Sequence, residues 1–464
     1  MRILYVCYNH PAVTPGGEQQ VAYELYQASL AQGHDAYLIA ALEIEHEAIY
    51  GKPGAPVVPL HGEAGQYFFF PQHYEFLHCS VGDWRSIQFF RELVERINPD
   101  VIHFHHYHRI GVESFRAARI AAPNATISLT FHEMMAICLA DGQMVKTRSR
   151  DLCSAASPIE CNKCFPDLRP EFMTLRADRL KAMLAECDNF IFPSEFLAER
   201  YVDWGLEAEK CVVIPNGQIN LAPQFDRRQH SRQVNRFGFF GQYIDNKGID
   251  VILEALIILA RQKRIPACGI ELEINGGNRH YASPAYLEKI TALRAEITRL
   301  GVGPIRIEEK GRYGRDQIAE RMKAVDWVVV PSTWWEVFGL VASEAWMFGR
   351  PVIASDIGGL GERVRNGVNG YTFAARDANA LAELIARLTG NEQDWLKAAA
   401  GITQPWTEKQ MLDAHLSLWR ETIDRRESPE SPESPVAKEI EQFLQLTTSR
   451  VIAASSTRAA SGVE

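Results

Sequence analysis

Two carboxylates, a lysine and a glycine pair are the groups in this sequence whose types and spacing suit a charged, hydroxyl-bearing ligand. Glu336 and Glu344 stand eight positions apart in the stretch DWVVVPSTWWEVFGLVASEAWMFGRPVIASDIGG, residues 326–359. Eight positions is a little over two helical turns, so both acids can face one ligand if a helix begins near Phe338. Between them Phe338, Gly339 and Leu340 offer the free amides of a helix start, and Gly339 lets a ligand approach the main chain. Amides and helix dipole attract negative charge, whereas each carboxylate accepts hydrogen bonds from a pair of hydroxyls. The arrangement suits a ligand with an anionic middle and hydroxyl-rich ends, which is the shape of a nucleotide sugar. The plain alternative is two solvated acids flanking a core helix.

Three further groups extend the pattern. Lys247, in GQYIDNKG, precedes Gly248 and a helix start, where a mobile ammonium adds to backbone amides in gripping a diphosphate. Gly16 and Gly17, in TPGGE, sit between a strand and a helix, where they open the backbone to a phosphate or sugar or simply make a turn. His132, followed by Glu133, ends an apolar run, Thr126 to Phe131, so it lies where a parallel strand meets a cleft. The run of histidines at 103, 105, 106 and 108 alternates between strand faces and is not an obvious four-ligand metal cluster.

The elements that must position these groups alternate strand and helix. Trp327–Val330 and Pro351–Ala354 read as parallel neighbours joined by the helix that carries Glu344. Strand Ile3–Cys7, a helix from about Glu18 to Ala31 and strand Asp35–Ala41 repeat the unit, with Gly33 ending the helix. Further strands are expected at 101–104, 189–192, 211–214, 236–240, 270–275 and 305–309. Helices are expected at 87–97, 175–186, 195–204, 249–261, 284–300, 381–388 and 406–423. Residues 43–83 show no regular pattern; Tyr67 to Phe70 and Trp84 read as packed core or as an acceptor-facing or membrane-facing surface, the core being the plainer reading.

The segment E-x-F-G-L-x-x-x-E at 336–344, preceded by P-S and followed by E-A-x-x-x-G-x-P-V-I-A-S-D-x-G-G, resembles the signature of retaining glycosyltransferases of family 4. The resemblance implies the GT-B fold, α/β, with two facing Rossmann-like domains, parallel sheets and a cleft between them. It implies that Glu336 meets the donor sugar, that Phe338, Gly339 and Leu340 touch sugar and diphosphate, and that Glu344 holds the ribose. The glycine pair at Gly16 and Gly17 and the histidine-plus-acid at His132 also match the family's positions. Where the family usually has G-R-x-x-x-x-K-G this chain has Gln242, so one diphosphate-binding charge is missing and more falls to Lys247. The organisation expected is an acceptor-side domain 1–215 with a cysteine-containing insertion at about 136–170, a linker 216–235, a donor-binding domain 236–404, a crossover helix 405–424 and a flexible tail 425–464.

The function so implied is retaining transfer of a hexose-type unit from a nucleoside diphosphate sugar to an acceptor hydroxyl, with His132, Glu336 and Lys247 as catalytic-site residues and no metal required. Expected partners are the nucleotide-sugar donor and a saccharide or lipid-linked acceptor, with peripheral membrane contact a further expectation. A nucleotide-sugar epimerase of the same fold and a non-catalytic nucleotide-sugar-binding protein are the alternatives. NAD-linked chemistry is disfavoured because PGGE, not G-x-G-x-x-G, opens the first turn.

At 464 residues the chain exceeds what one core organises. A net charge of −9 argues against broad nucleic-acid binding. No apolar run long enough to cross a bilayer occurs, and the start reads as a strand rather than a signal peptide, so a cytoplasmic location is expected, at most at the inner membrane face. Nine cysteines fit reduced thiols. Four of them, Cys138, Cys153, Cys161 and Cys164, fall within a polar, Pro-containing stretch. They read either as a tetrahedral structural zinc site or as free or redox-paired thiols. The repeat ESPESPESP cannot build a core and reads as a tether, followed by a short amphipathic segment 436–452.

Overall fold

The computed structural model describes residues 1–14, 16–51, 55–218, 233–301 and 303–427. Most of the expected linker, the ESP repeat and the segment 436–452 lie outside the described residues. Two sheets carry the architecture, both within one compact unit, Met1–His415. A second unit, Leu416–Glu464, has helical residues 416–427 as its described part.

The strands in chain order are β1 (Arg2–Tyr8), β2 (Asp35–Ala41), β3 (Val57–Pro59), β4 (Gln66–Phe69), β5 (Tyr74–Glu75), β6 (Ser80–Val81), β7 (Val101–Phe104) and β8 (Thr126–Thr130). They continue with β9 (Asn189–Phe192), β10 (Cys211–Val213), β11 (Arg236–Phe240), β12 (Ile270–Asn275), β13 (Ile305–Gly311), β14 (Trp327–Val330), β15 (Val352–Ser355) and β16 (Gly370–Phe373). The first sheet runs β10-β9-β8-β7-β1-β2-β4-β3 and is parallel except for the antiparallel edge strand β3. The second runs β13-β12-β11-β14-β15-β16 and is parallel throughout. Central strands read as continuous apolar runs because helices cover both faces; residues 3–7 of β1 and all of β14 are buried.

Strand order decides where the site lies. β11 sits between β12 and β14, so the chain leaves its neighbouring strands in opposite directions and a crevice opens at their carboxyl ends. The loops 241–248 and 331–339 emerge there. In the first sheet β1 lies between β2 and β7, which places the turn bearing Gly16 and Gly17 beside the histidine run that follows β7.

Helix ends follow local chemistry. Asp83 caps the helix Trp84–Ile97 by accepting from Arg85 N, and Asn98 ends it in the left-handed conformation before Pro99. Ser194 caps Glu195–Trp204, which stops at Gly205 with φ +107°. The region 43–83, irregular by sequence, supplies β3 to β6: its strands are two to four residues long, too short to show a period. Phe68, Phe69 and Phe70 are buried as expected, but Trp84 is 70% exposed because it opens its helix on the solvent side. Strand β16 and the helix Glu392–Ala400 were not anticipated. The helix expected at 406–423 spans Glu408–Glu427. Its first turns meet the helix Gly17–Ala31 and the start of the linker: Gln32 Nε2, at that helix's end, donates to Asp413 Oδ1 at 3.1 Å, and Gly217 N to the Met411 sulfur at 3.1 Å.

Candidate functional site

Lys247 and Glu336 are brought together by the β11–β14 pairing. Lys247 Nζ lies 2.5 Å from Glu336 Oε1, although 89 residues separate them in sequence. Ser332 Oγ donates to the same oxygen at 2.7 Å and Trp334 Nε1 at 3.1 Å, while the ammonium lies 5.2 Å over the Trp334 ring. The two loops are stitched along their length: Thr333 N donates to Asn246 O at 2.9 Å and Thr333 Oγ1 to Asp245 O at 3.2 Å. Gly248 is required by this approach. Its φ is +71°, and a Cβ there would fall 2.0 Å from the Pro331 carbonyl oxygen.

Glu336 is 7% exposed. Burial acts to raise its carboxyl pKa, but the charge and hydrogen bond of Lys247, helped by Ser332 and Trp334, outweigh burial and hold it below the ordinary carboxylate range. The pair is therefore an ionised carboxylate facing the lysine ammonium, on the two loops that leave β11 and β14.

The helix carrying Glu344 begins at Leu340, two residues later than expected, with Gly339 as its cap at φ +79°. The first-turn amides are thus left for a ligand. The Phe338 side chain is 2% exposed, with the Arg363 guanidinium 3.7 Å from its ring centre. Arg363 Nη1 also takes the Phe338 carbonyl at 2.9 Å, so it fixes the main chain of the loop from behind.

A cleft of about 650 Å³ collects Gly16, Gly17, Gln242, Leu340 and Glu344, five of the sequence-predicted donor-binding residues, together with Gln20, Glu24, Gln218, Asn278, Arg312, Tyr313 and Arg315. Gly17 is in close approach there: a Cβ on it would lie 2.9 Å from Leu340 Cδ1. Burial raises the Glu344 carboxyl to about 7, with Arg315 pulling the other way. Arg315 is ion-paired with the buried Glu24 of the helix Gly17–Ala31, joining the two sides of the cleft.

His132 follows β8 of the first sheet and is not among the residues that line this cleft. Its Nε2 is 3.1 Å from His105 Nδ1 and the two rings stack; His103 adjoins His105 with ring centres 4.2 Å apart. Burial drops the His132 pKa to about 3, with His415 acting in the same direction, so the ring is neutral at ordinary pH. It can therefore hydrogen-bond a hydroxyl but brings no charge. Beside it, His106 Nε2 lies 3.5 Å from Glu133 Oε1 and 3.9 Å from Glu18 Oε2. Burial raises Glu133 to about 8, with Arg176 pulling the other way, and raises Glu18 well above its usual value, with the charge of Glu133 acting in the same direction.

Arg315, Glu24, Arg363 and Glu18 were not singled out by sequence. Each is a charged residue within a helix, and only the fold shows which face it is on. The four cysteines read either as a zinc site or as free or redox-paired thiols, Cys138, Cys153, Cys161 and Cys164, are not disulfide-bonded and line a common cavity. Among the described residues no group of three or more His, Cys, Asp or Glu side chains is arranged to hold a metal ion. No described helix is long and apolar enough to cross a membrane.

Residues 15–218 match the family described as Glycosyltransferase Family 4, and residues 234–391 match Glycosyl transferases group 1. The chain is 28% identical over 225 residues to D-inositol 3-phosphate glycosyltransferase of Streptomyces griseus, covering 46% of each, and 33% identical over 196 residues to D-inositol 3-phosphate glycosyltransferase 1 of Catenulispora acidiphila, covering 40% of this chain and 44% of that one. It thus spans about half the length of these curated relatives. Among solved structures, Anabaena HepE in complex with UDP superposes with a TM-score of 0.62 at 19% identity, covering 91% of this chain and 100% of that one. Sucrose-phosphate synthase of Thermosynechococcus elongatus gives 0.60 at 20%, with the same coverage. With both family matches falling on the two sheets and the GT-B architecture shared across these structures, the chain belongs to glycosyltransferase family 4.

Proposed function

We propose that the protein is a retaining glycosyltransferase that moves a hexose-type unit from a nucleoside diphosphate sugar to an acceptor hydroxyl, in the synthesis of a glycan, polysaccharide or glycolipid. The observation that carries this reading is the Lys247–Glu336 ion pair, held on the loops that lead to Gln242 and to the helix of Leu340 and Glu344, which line a cleft with Gly16 and Gly17. HepE structures with UDP and with UDP-glucose support a donor of this class.

In this reading the donor's diphosphate lies across the first-turn amides at Gly339 and Leu340, with Lys247 adding charge. Glu344 accepts from the ribose hydroxyls, and Glu336 accepts from hydroxyls of the transferred sugar. The bond between the anomeric carbon and the diphosphate oxygen breaks as the acceptor oxygen bonds to that carbon on the same face. The acceptor's proton passes to the departing phosphate oxygen. Lys247 and the amides stabilise the charge that grows on the diphosphate, and neutral His132 orients the sugar by hydrogen bonding. Lobes 1–215 and 236–404 supply acceptor and donor sides, and their closure excludes the water that would otherwise hydrolyse the donor.

The test is a panel of nucleoside diphosphate sugars offered with simple glycoside acceptors, read by nuclear magnetic resonance of the new anomeric centre. Retention of the donor's anomeric configuration in the product is expected. Inversion, or acceptor-independent conversion of the donor, would overturn the proposal.

A further inference from the structure

The loop that follows β14 sends its side chains in two directions. Glu336 turns to Lys247, whereas Trp335 and Val337, on either side of it, pack against the apolar core around the first sheet. Trp335 lies on the helix Glu195–Trp204: its ring centre is 5.2 Å from that of Phe196, and the Arg200 guanidinium is 5.1 Å over the indole. Trp335 Nε1 also donates to the Cys153 carbonyl at 2.9 Å. Ser194, which caps that helix by accepting from Leu197 N, donates its hydroxyl to the Val337 carbonyl at 2.5 Å. The carboxylate assigned to the donor sugar is thus fastened on both flanks to elements of the other sheet.

The second sheet's side of this contact is bare backbone and one carboxylate. Gly359 N donates to the Glu336 carbonyl at 2.8 Å. A Cβ on Gly359 would fall 2.3 Å from the Val337 carbonyl oxygen and 2.8 Å from Ser194 Cβ, so only glycine lets the three chains meet. Three positions on, Glu362 Oε1 accepts from Phe196 N. Phe196 is in the first turn of its helix, where amides have no partner within the helix. Ser194 satisfies one of these amides, and Glu362 satisfies another from across the interface. Burial raises the Glu362 carboxyl, the Phe196 amide opposes that rise, and Glu195 and Glu199 add to it.

We propose that Glu362 and Trp335 are positioning residues: docking of the first sheet's lobe on residues 335–337 seats Glu336 for the donor sugar, so transfer depends on lobe closure while the nucleotide half of the donor binds without it. The coupling to transfer rests on the function proposed above, whereas the seating of the loop does not. Lys247, the amides at Gly339 and Leu340, and Glu344, which that function assigns to the nucleotide, all follow strands of the second sheet. Glu336 alone among the donor contacts there stands between two residues anchored on the first. A loop displaced by about 1 Å keeps the nucleotide but loses the aligned sugar.

Glu362→Ala removes the acceptor for Phe196 N, and Glu362→Gln keeps a carbonyl oxygen in its place. Amide hydrogen exchange of peptides covering 333–339, read by mass spectrometry without ligand, should quicken at least about fivefold in Glu362→Ala and stay within about twofold of wild type in Glu362→Gln. Peptides of β11 and β12 should be unchanged in both, which shows that the fold is intact. With the donor selected from the nucleoside diphosphate sugar panel, Glu362→Ala should lower kcat at least about tenfold while the matching nucleoside diphosphate keeps its Kd within about threefold. Glu362→Gln should recover most of kcat. Trp335→Phe, which keeps a ring on Phe196 but loses the Nε1 donor, should show the same split more weakly. Wild-type exchange at 333–339 in Glu362→Ala overturns the seating. Quickened exchange with unchanged kcat, equal losses of kcat and affinity, or a glutamine that fails to rescue overturns the coupling. The exchange difference in a chain that neither binds a nucleoside diphosphate nor transfers sugar upholds the seating and counts against the proposed function instead.

Discussion

Replacing Lys247 by alanine tests the electrostatics of the site more sharply than any other single change. In the wild type the ammonium is 2.5 Å from a carboxylate that is 7% exposed, and the lysine side chain is itself 26% exposed. Removing one partner of a fully buried pair costs about 3–5 kcal/mol. Ser332 and Trp334 stay on the carboxylate, and the lysine already sees water, so the loss expected here is about 2 kcal/mol. The pH dependence carries the sign. In the wild type the folded Glu336 pKa lies below its unfolded value, so the pair's contribution is present above the unfolded value and is lost as acid takes pH down through the folded one. Without Lys247 burial is the largest remaining influence, and it raises the pKa. A proton then relieves the buried charge, so the variant's deficit relative to wild type should be larger at pH 8 than at pH 5. Denaturant melts at both pH values measure this, with sugar transfer assayed on the same samples. The loss of a cation on the leaving diphosphate should lower kcat about 10²–10³-fold. Equal deficits at pH 5 and pH 8 would refute the electrostatic reasoning. Transfer at the wild-type rate would refute the role given to the lysine.

Other outcomes follow from neighbouring residues. Glu336→Gln, which keeps the size but not the charge, should cut transfer at least tenfold at a near-normal Tm, read by initial rates beside a melt. Glu344, whose folded pKa near 7 lies above its unfolded value, costs stability as pH rises from the acid range through about 7; Glu344→Gln should therefore raise Tm more at pH 8 than at pH 5 while weakening the donor, as calorimetry would show. Gly248→Ala should destabilise by at least about 3 kcal/mol, because the left-handed φ and the Pro331 carbonyl both oppose a Cβ. Gly33→Ala, with φ +80° and open space around it, should cost only about 1 kcal/mol in the same chemical melts. Gly17→Ala meets only the tip of Leu340, so it should raise the donor KM several-fold with little change in Tm.

How much of this was legible in the sequence depends on the range of the signal. The β14–helix–β15 unit and the alternation around β1 and β2 were readable because buried parallel strands are continuous apolar runs with glycine or proline at their ends. Lys247 and Glu336 were each identifiable from local context, but their direct ion pair was not, because it depends on β11 pairing with β14 across 89 residues. The main-chain amides of Phe338 to Leu340 could be read from their place at a helix start, but the packing of the Phe338 ring under Arg363 could not, because no periodicity connects a residue twenty-five positions later to it. The Arg315–Glu24 pair and the Glu18–His106–Glu133 group were invisible for the same reason: each acid or base is ordinary on its own helix or loop. Short strands β3 to β6 left no period to detect: β3 and β4 extend the first sheet, while β5 and β6 pair only with each other.

Titration calorimetry of a nucleoside diphosphate against its parent nucleoside, in the wild type and in Lys247→Ala, tests the central claim most directly. The account predicts that the diphosphate binds the wild type at least about a hundredfold more tightly than the nucleoside and that Lys247→Ala removes most of that advantage. Equal affinities for the two ligands in the wild type, or an advantage undiminished in the variant, would contradict it.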